Sequence, residues 1–475
     1  MLFSGPRSDA RRERYRHEVL DVADGARKTK RLDGEKGALP DGAPSAQAES
    51  TGLERTMGWK GCAWNSCAYS IALGILSLPS VCATLGVAPF VILACVFAAL
   101  TYYTGMSYHR LQQRYPGIHS LEDAGDLLFG RVGAFVLGWT QVIFSVFLQG
   151  NHVLLGAKAF NALGWRAPQT CAIALYVVFA IISFLFSLPR SYKLFSWLAV
   201  FSVISILVSV LIVLIASGVT GPADGTVVQP ISAAAQPGFL DACLAITNLF
   251  VSFGSSPSYL PLMAEMHDPK HGFPRALRTL VIFQLVLYCV VGGVVYRNLG
   301  PDVASPSIAA LQPIYQKAAY GTGLGTILLA GCESAQVSGK VLYVKLFRMR
   351  PSLFKTKAWG WAIWTAINAV TWVLAAILAM ILPFFSSFLG VEASAFWSAF
   401  LAAAAAFSVY CALEERKHGE ITPARCAVML AAAAAVLCVT TFIAITGMWA
   451  SAVSIRDSYA QGIVGRPFSC AITDA

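Results

Sequence analysis

Charge is scarce in this chain. Only 13% of its 475 residues are Asp, Glu, Lys or Arg, about half the share of an ordinary soluble domain, while 56% are hydrophobic. A soluble protein of this length and composition would carry more apolar surface than one core could hide. Chemical signatures are missing too. The twelve cysteines include no Cys-x-x-Cys pair with metal spacing, so neither a zinc site nor a disulfide framework is expected. There is no His-Glu-x-x-His, no Gly-x-Ser-x-Gly and no pair of intramembrane aspartates, so the chain is not expected to be an enzyme. No apolar stretch follows the first basic residues, which excludes a secretory signal peptide and leaves insertion to the first true span.

What is present is a series of apolar blocks, each long enough to cross about 30 Å of hydrocarbon as a helix of about 20 residues. Eleven spans are predicted, over 61–86, 88–110, 133–158, 168–188, 193–217, 239–263, 276–297, 319–345, 358–382, 386–412 and 424–449. The fold class is therefore all-α and polytopic, with the bilayer as first partner and the two termini on opposite sides. With the N-terminus cytoplasmic, the inner segments hold 17 Lys and Arg residues and the outer segments 6, the tail left aside. That asymmetry accounts for the net charge of +10, and no nucleic-acid partner is needed to explain it.

Residues 1–57 are polar and basic, with Arg11-Arg-Glu-Arg-Tyr-Arg16 and Arg27-Lys-Thr-Lys-Arg31, and read as a disordered cytoplasmic tail. Residues 58–450 form the membrane domain and 451–475 a short non-cytoplasmic tail. The Gly/Pro-rich segment Gly218 to Gly238 divides the domain, so that spans one to five and six to ten make two halves and the eleventh is an addition. Eleven cysteines fall in or at the edge of spans and read as packing residues; Cys470 faces the oxidising side with no partner expected there.

Each half opens on an interrupted helix. Gly74-Ile-Leu-Ser-Leu-Pro79 breaks the first span and Phe253-Gly-Ser-Ser-Pro257 the sixth. Because every backbone N–H and C=O in a bilayer needs an internal partner, unwinding is tolerated where the freed groups line a cavity or bind something. The expected binding residues are Asn65, Gly74, Ile75, Leu76 and Ser77 in the first span and Phe253, Gly254, Ser255 and Ser256 in the sixth. Amides of the turn from Gly74 to Leu78 suit a carboxylate, and carbonyls of the sixth-span break suit an ammonium group. The ligand implied is a zwitterionic small molecule.

Ionisable groups within spans are functional candidates by default, and Glu333 in the eighth is the clearest. It could carry a coupling proton, or Ser334 and Ser338 could help hold Na⁺; no other cofactor is expected. Alternatively Glu333 pairs with a basic residue. Gln141, Ser145, Gln149 and His152 form one polar stripe on the third span, which either lines a path or bonds to a neighbouring helix. Glu265 is expected in a gate ion pair with Lys340 or Arg278. Ser120 to Gly130 reads as an amphipathic segment on the inner surface, with carboxylates that are solvated or gate-forming.

Gly74-Ile-Leu-Ser-Leu-Pro79, Leu121-Glu-Asp-Ala-Gly-Asp-Leu-Leu-Phe-Gly130, Ala264-Glu-Met266, Asp268-Pro269, Phe273-Pro-Arg-Ala-Leu277 and Tyr296-Arg-Asn-Leu-Gly300 together resemble the amino acid/auxin permease family of the amino acid–polyamine–organocation superfamily, its fungal neutral amino acid permeases most of all. The resemblance implies an eleven-span fold with a leucine-transporter-like 5+5 inverted repeat. It also implies alternating-access transport of amino acids driven by H⁺ or Na⁺, by a chain that works as a monomer. Family members often have a histidine where this chain has Ser256, so a histidine-dependent proton mechanism does not carry over. An amino acid sensor that signals with little flux would need the same pocket. Plasma membrane and vacuolar membrane both suit the topology.

Overall fold

The computed structural model describes residues 15, 57–72, 74–164, 171–190, 192–222, 237–301, 303–349, 357–461, 468 and 470. Among them the chain is helical throughout, with one isolated β-bridge between Met57 and Met266. Eight helices are each long and apolar enough to cross a membrane. Three further crossings explain themselves. The first is split into Trp59–Ser70 and Leu78–Leu85, each too short alone; the fourth, Ala172–Ser187, is short but apolar; the eighth, Pro313–Met349, is long but carries Glu333, Gln336, Lys340 and Lys345. The full set is eleven spans, as the hydropathy blocks predict.

Large apolar side chains stand exposed around the whole bundle, among them Ile92, Phe135, Trp197, Phe201, Ile282, Val428 and Ile445. A soluble surface does not carry so extensive an apolar belt, whereas lipid tails solvate it at no cost. The polar residues are inside instead. In the third span Gln141, Ser145, Gln149 and His152 are all buried. Gln141 Nε2 donates to the Pro257 carbonyl of the sixth span (3.0 Å), and Ser334 Oγ of the eighth donates to the Ser145 carbonyl (3.2 Å). His152 Nδ1 donates to the Ile327 carbonyl (2.7 Å), so this ring is interior and not hydrated at an outer surface. Of the two readings of the stripe, the structure selects bonding to neighbouring helices.

Packing sorts the spans into two groups. The third, fourth, eighth and ninth pack on one another, and the first, second, sixth and seventh form the other set. The fifth span touches the first and the eighth, and the tenth packs on the second and the eleventh. The broken helices that open the two five-span halves thus belong to one and the same group.

Helix ends follow local chemistry. Ser120 caps the helix Leu121–Ala162 in a reciprocal box with Asp123, and Gly130, at φ +69°, bends this helix. A left-handed backbone there suits glycine alone among common residues, and it separates a largely buried segment of about two turns from the third span proper. The sequence reads this stretch as an amphipathic segment on a surface, whereas most of its side chains are packed, Asp123 among them, and only Phe129 is exposed. Its Glu122 pairs with Lys345 (3.4 Å), and its Asp126 accepts from the buried Tyr15 (3.2 Å). Asp268 caps the seventh span, and the backbone N–H of His271 holds its exposed carboxyl below the usual range. Apart from Tyr15 and Met57, the predicted disordered tail lies outside the described residues, as do residues 223–236 of the linker between halves.

The eleventh helix, Pro423–Ala460, is longer than the predicted 424–449 span, and near its end Tyr459 donates to the Ile381 carbonyl (2.7 Å) and stacks edge-on against Phe384. The cysteines require a correction. Cys470 does have a partner. It is disulfide-bonded to Cys171, which lies just before the fourth helix and not inside a span; the other ten cysteines are free. The 299-residue separation hides this pair from any reading of local cysteine spacing.

Candidate functional site

The first helix ends at Ser70, and the Ile71 N–H closes back on the Cys67 carbonyl (2.8 Å). Gly74–Leu76 then forms a 3₁₀ turn, with the Ser77 N–H and Oγ both donating to the Gly74 carbonyl (3.1 and 2.8 Å), and α-helix resumes at Leu78. The break therefore lies about three residues before the predicted turn from Gly74 to Leu78. Pro79 does not cause it. Pro79 sits in the first turn of the new helix, where its missing N–H has no intrahelical partner to lose. Among the described residues the N–H groups of Ala72, Gly74 and Ile75 have no hydrogen-bond partner, so amides suited to a carboxylate do stand here. Leu73 lies outside the described residues.

The sixth span breaks where its sequence predicts. Helix Phe239–Ser252 stops at Phe253, the Gly254 N–H bonds to the Val251 carbonyl (2.8 Å), and Ser256–Glu265 begins afresh with Pro257 in its first turn. The two breaks touch. A Cβ at Gly74 would lie 2.5 Å from Ser252 Oγ and 2.7 Å from Ser252 Cα, a distance at which only glycine allows the crossing. Seventh-span residues Gln284 and Tyr288, one turn apart, fasten the crossing. Tyr288 donates its hydroxyl toward the Ser252 (2.8 Å) and Ser70 (3.2 Å) carbonyls, and Gln284 Nε2 donates to Ser70 Oγ (2.5 Å).

Between the breaks lies a cavity of about 30 Å³, room for roughly two water molecules. Its wall combines Tyr69, Ser70, Ala72 and Gly74 of the first span with Val251 and Gly254 of the sixth, Phe144 and Leu148 of the third, and Leu389 and Glu392 of the tenth. Of the nine predicted binding residues, Gly74 and Gly254 line it. Ile75, Leu76 and Phe253 pack in the core. Ser77 ties its own turn, Ser255 Oγ meets the Tyr259 hydroxyl (2.6 Å), and Ser256 is buried beside them. Asn65 points toward the start of the helix, where Nδ2 donates to the Gly61 carbonyl (3.0 Å).

Glu333 is buried on the eighth span and lies in the electrostatic reach of Cys67 and Tyr69, outside the cavity wall. Among the described residues it makes no ion pair, so the alternative of a basic partner is not what the structure shows. Ser334 faces the third span and Ser338 Oγ donates back to its own helix at Ser334 (3.3 Å). Glu265 and Lys340 do meet, Nζ to Oε1 at 3.0 Å, while Arg278 Nε donates to the Pro274 carbonyl. Next to that pair, Met57 exchanges backbone hydrogen bonds with Glu265 and His267 (3.0 Å each), so the segment before the first span is stitched to the end of the sixth.

Glu392 is a site residue absent from the set expected from sequence. It is fully buried, Asn151 Nδ2 donates to its Oε1 (2.9 Å), and its Oε2 has no partner. A π-helical turn, Ala393–Trp397, follows it directly. Glu392 lies inside the predicted tenth span, so the rule that singles out Glu333 applies to it equally. What no local pattern carries is that the tenth span faces the breaks of the first and sixth. Gln284 and Tyr288 are legible in sequence only as a polar pair at i and i+4.

Comparison with known proteins agrees with this geometry. Solved structures similar to the chain include MhsT in complex with L-phenylalanine, with TM-score 0.55 and 13% identity, covering 84% of this chain and 99% of that one. A Na⁺-coupled sialic acid symporter in a substrate-bound outward-open state gives TM-score 0.54 at 11% identity, covering 88% and 92%. At those identities the likeness is one of fold, the leucine-transporter fold with its 5+5 inverted repeat. Among sequences, the N amino acid transport system protein of Neurospora crassa is 27% identical over 443 residues, 92% of each chain. A transmembrane transporter of Gibberella moniliformis is 24% identical over 431 residues, 90% of each. Residues 55–452 match the family described as transmembrane amino acid transporter protein, and the chain belongs to that family of membrane amino acid transporters.

Proposed function

We propose that this chain is a secondary active transporter that carries neutral amino acids across a membrane by alternating access, coupled to a proton through Glu333. The observation that carries the reading is the contact of the two helix breaks at Gly74 and Ser252, with unpartnered amides of the first break beside a small cavity. Those amides offer a site for the α-carboxylate. A cavity of about 30 Å³ is too small for an amino acid, so binding must widen it. The wall belongs both to the first and sixth spans and to the third and tenth, and movement of one group of helices against the other is what would widen it. The Glu265–Lys340 pair, with the Met57 backbone bridge beside it, closes the side on which the first span begins and is the inner gate in this reading.

Reconstituted full-length protein is expected to accumulate at least one neutral amino acid in proteoliposomes under an inward proton gradient, and to lose the accumulation when a protonophore is added. Binding without accumulation against the gradient would instead identify a sensor.

In this reading the N-terminus is cytoplasmic, in the plasma or vacuolar membrane. The excess of Lys and Arg supports that orientation, and so does the disulfide, since Cys171 and Cys470 lie on the side away from the first helix's start and disulfides persist outside the reducing cytosol. Expressed at a cell surface, the chain is expected to react with a membrane-impermeant maleimide only after reduction, and the Cys171→Ser, Cys470→Ser double variant should not react. Labelling of neither form, with the protein shown to be at the surface, would reverse the orientation.

A further inference from the structure

The fate of the carbonyls freed by the two breaks decides where a substrate amine can bind. Seven of them already accept hydrogen bonds. The Ser70 and Ser252 carbonyls take Tyr288, the Phe253 carbonyl takes Thr101 Oγ1 (3.1 Å), and the Val251 carbonyl takes the Gly254 N–H. The Gly74 carbonyl takes Ser77, the Ser255 carbonyl takes Ser258 (2.8 Å from Oγ), and the Pro257 carbonyl takes Gln141. In the sixth-span break, expected from sequence to receive an ammonium group, the Ser252, Phe253 and Pro257 carbonyls are thus taken by the seventh, second and third spans.

The strongest acceptor on the wall is a carboxylate. Among the described residues Glu392 is the one charged residue lining the cavity, fully buried, with Oε1 fixed by Asn151 and Oε2 unpartnered. We propose that Glu392 receives the α-ammonium group of the transported amino acid, and that Asn151 is a positioning residue that aims the carboxylate. An ammonium group has three donors and no acceptor, and hydrogen bonds with an ionised partner are roughly twice as strong as neutral ones. The unpartnered amides of Ala72 and Gly74, which line the same cavity, receive the opposite end of the ligand. The substrate then bridges the broken first span to the tenth, where the π-helical turn after Glu392 marks a departure from regular helix of the kind often found at functional sites. The assignment rests on the transport reading above. It makes a free amine a requirement at this site and leaves the apolar neighbours Phe144, Leu148 and Leu389 for the side chain.

The test uses full-length protein in proteoliposomes, with initial uptake of radiolabelled L-alanine, L-leucine and L-phenylalanine competed by each amino acid and by its N-acetyl derivative. Wild type should ignore the N-acetyl forms. Glu392→Gln, which keeps the shape and an oxygen for Asn151 but removes the charge, should raise KM for every accepted substrate by about tenfold or more and narrow the gap between free and N-acetylated competitors. Glu392→Asp should raise KM less. Asn151→Ser, which leaves the charge but loosens its aim, should fall between wild type and Glu392→Gln. An unchanged KM with undiminished discrimination, in Glu392→Gln or in Glu392→Asp if only that variant is recovered folded, overturns the assignment while transport stands. Loss of pH-driven accumulation at unchanged KM also overturns it, making Glu392 a proton carrier. A wild-type protein that takes up none of the three overturns the transport reading and this assignment with it.

Discussion

Replacing Gly74 with alanine is expected to lower amino acid uptake by about a hundredfold with the protein still inserted. The added methyl group would stand 2.5 Å from Ser252 Oγ and 2.7 Å from both Cα and Cβ of Ser252. A serine hydroxyl can rotate away, but the main chain at Ser252 cannot move without parting the two helix breaks. Overpacking of a tight contact costs about 1–3 kcal/mol, and every 1.4 kcal/mol is a factor of ten, so the upper end of that range corresponds to the hundredfold loss. The cost falls on the conformation in which the breaks cross, and uptake is therefore expected to suffer before membrane insertion does. Ser252→Gly removes Oγ and Cβ from the crossing; it also removes a hydroxyl bonded to the Asn248 carbonyl of its own helix (2.7 Å), which is a small loss. The double variant should recover part of the uptake and not all of it, because the backbone at position 252 still crowds the added methyl group. Initial uptake rates of the four proteins, normalised to the monodisperse fraction in detergent, give the coupling between the two sites. Uptake of Gly74→Ala equal to wild type would mean that the crossing of the breaks is not required for transport.

The fold is legible in the sequence because the bilayer makes it so. Hydropathy finds a helix whose backbone has no alternative to internal hydrogen bonding, and the eleven apolar blocks coincide with eleven crossings. The position of the sixth-span break is legible for the same reason, since three serines and a glycine in mid-membrane have no other use. The first break falls about a turn before the expected stretch from Gly74 to Pro79. Proline tolerates the first turn of a helix, and the contact that sets the break, Gly74 on Ser252, joins residues far apart in sequence. The same limit hides the Cys171–Cys470 bond and the facing of Glu392. Glu265 with Lys340 is within reach of sequence, as opposite charges at the same predicted depth. The binding set is the least legible part. Polar residues near a break all look like ligands in one dimension, yet Ser77, Ser255 and Asn65 are occupied with the backbone or with a neighbouring hydroxyl.

Glu333→Gln is the second large effect. A carboxyl group in the interior, with no ion pair among the described residues, can change charge only by exchanging a proton with the pathway. Its surroundings suit that task. The carboxyl group lies in the electrostatic reach of Tyr69, which also lines the cavity and lies in the reach of Glu392 as well. Glutamine keeps the volume and the hydrogen-bonding capacity but carries no exchangeable charge. With one proton per substrate, a pH difference of one unit sustains about tenfold accumulation, since it is worth about 1.36 kcal/mol. Glu333→Gln is expected to bring the inside-to-outside ratio to about one under that gradient and to retain exchange of labelled for unlabelled substrate across the membrane. Exchange requires the gates and the binding groups but no net proton movement. Accumulation at the wild-type ratio would eliminate Glu333 as the carrier, and accumulation under a Na⁺ gradient with none under a proton gradient in wild type would reassign the coupling to sodium. The two acidic groups thus separate by measurement: charge removal at Glu392 should act on KM and on the requirement for a free amine, and charge removal at Glu333 on the accumulation ratio. A chain in which either variant reproduced the other's phenotype would have to use both carboxyl groups as one site, with Tyr69 as the link.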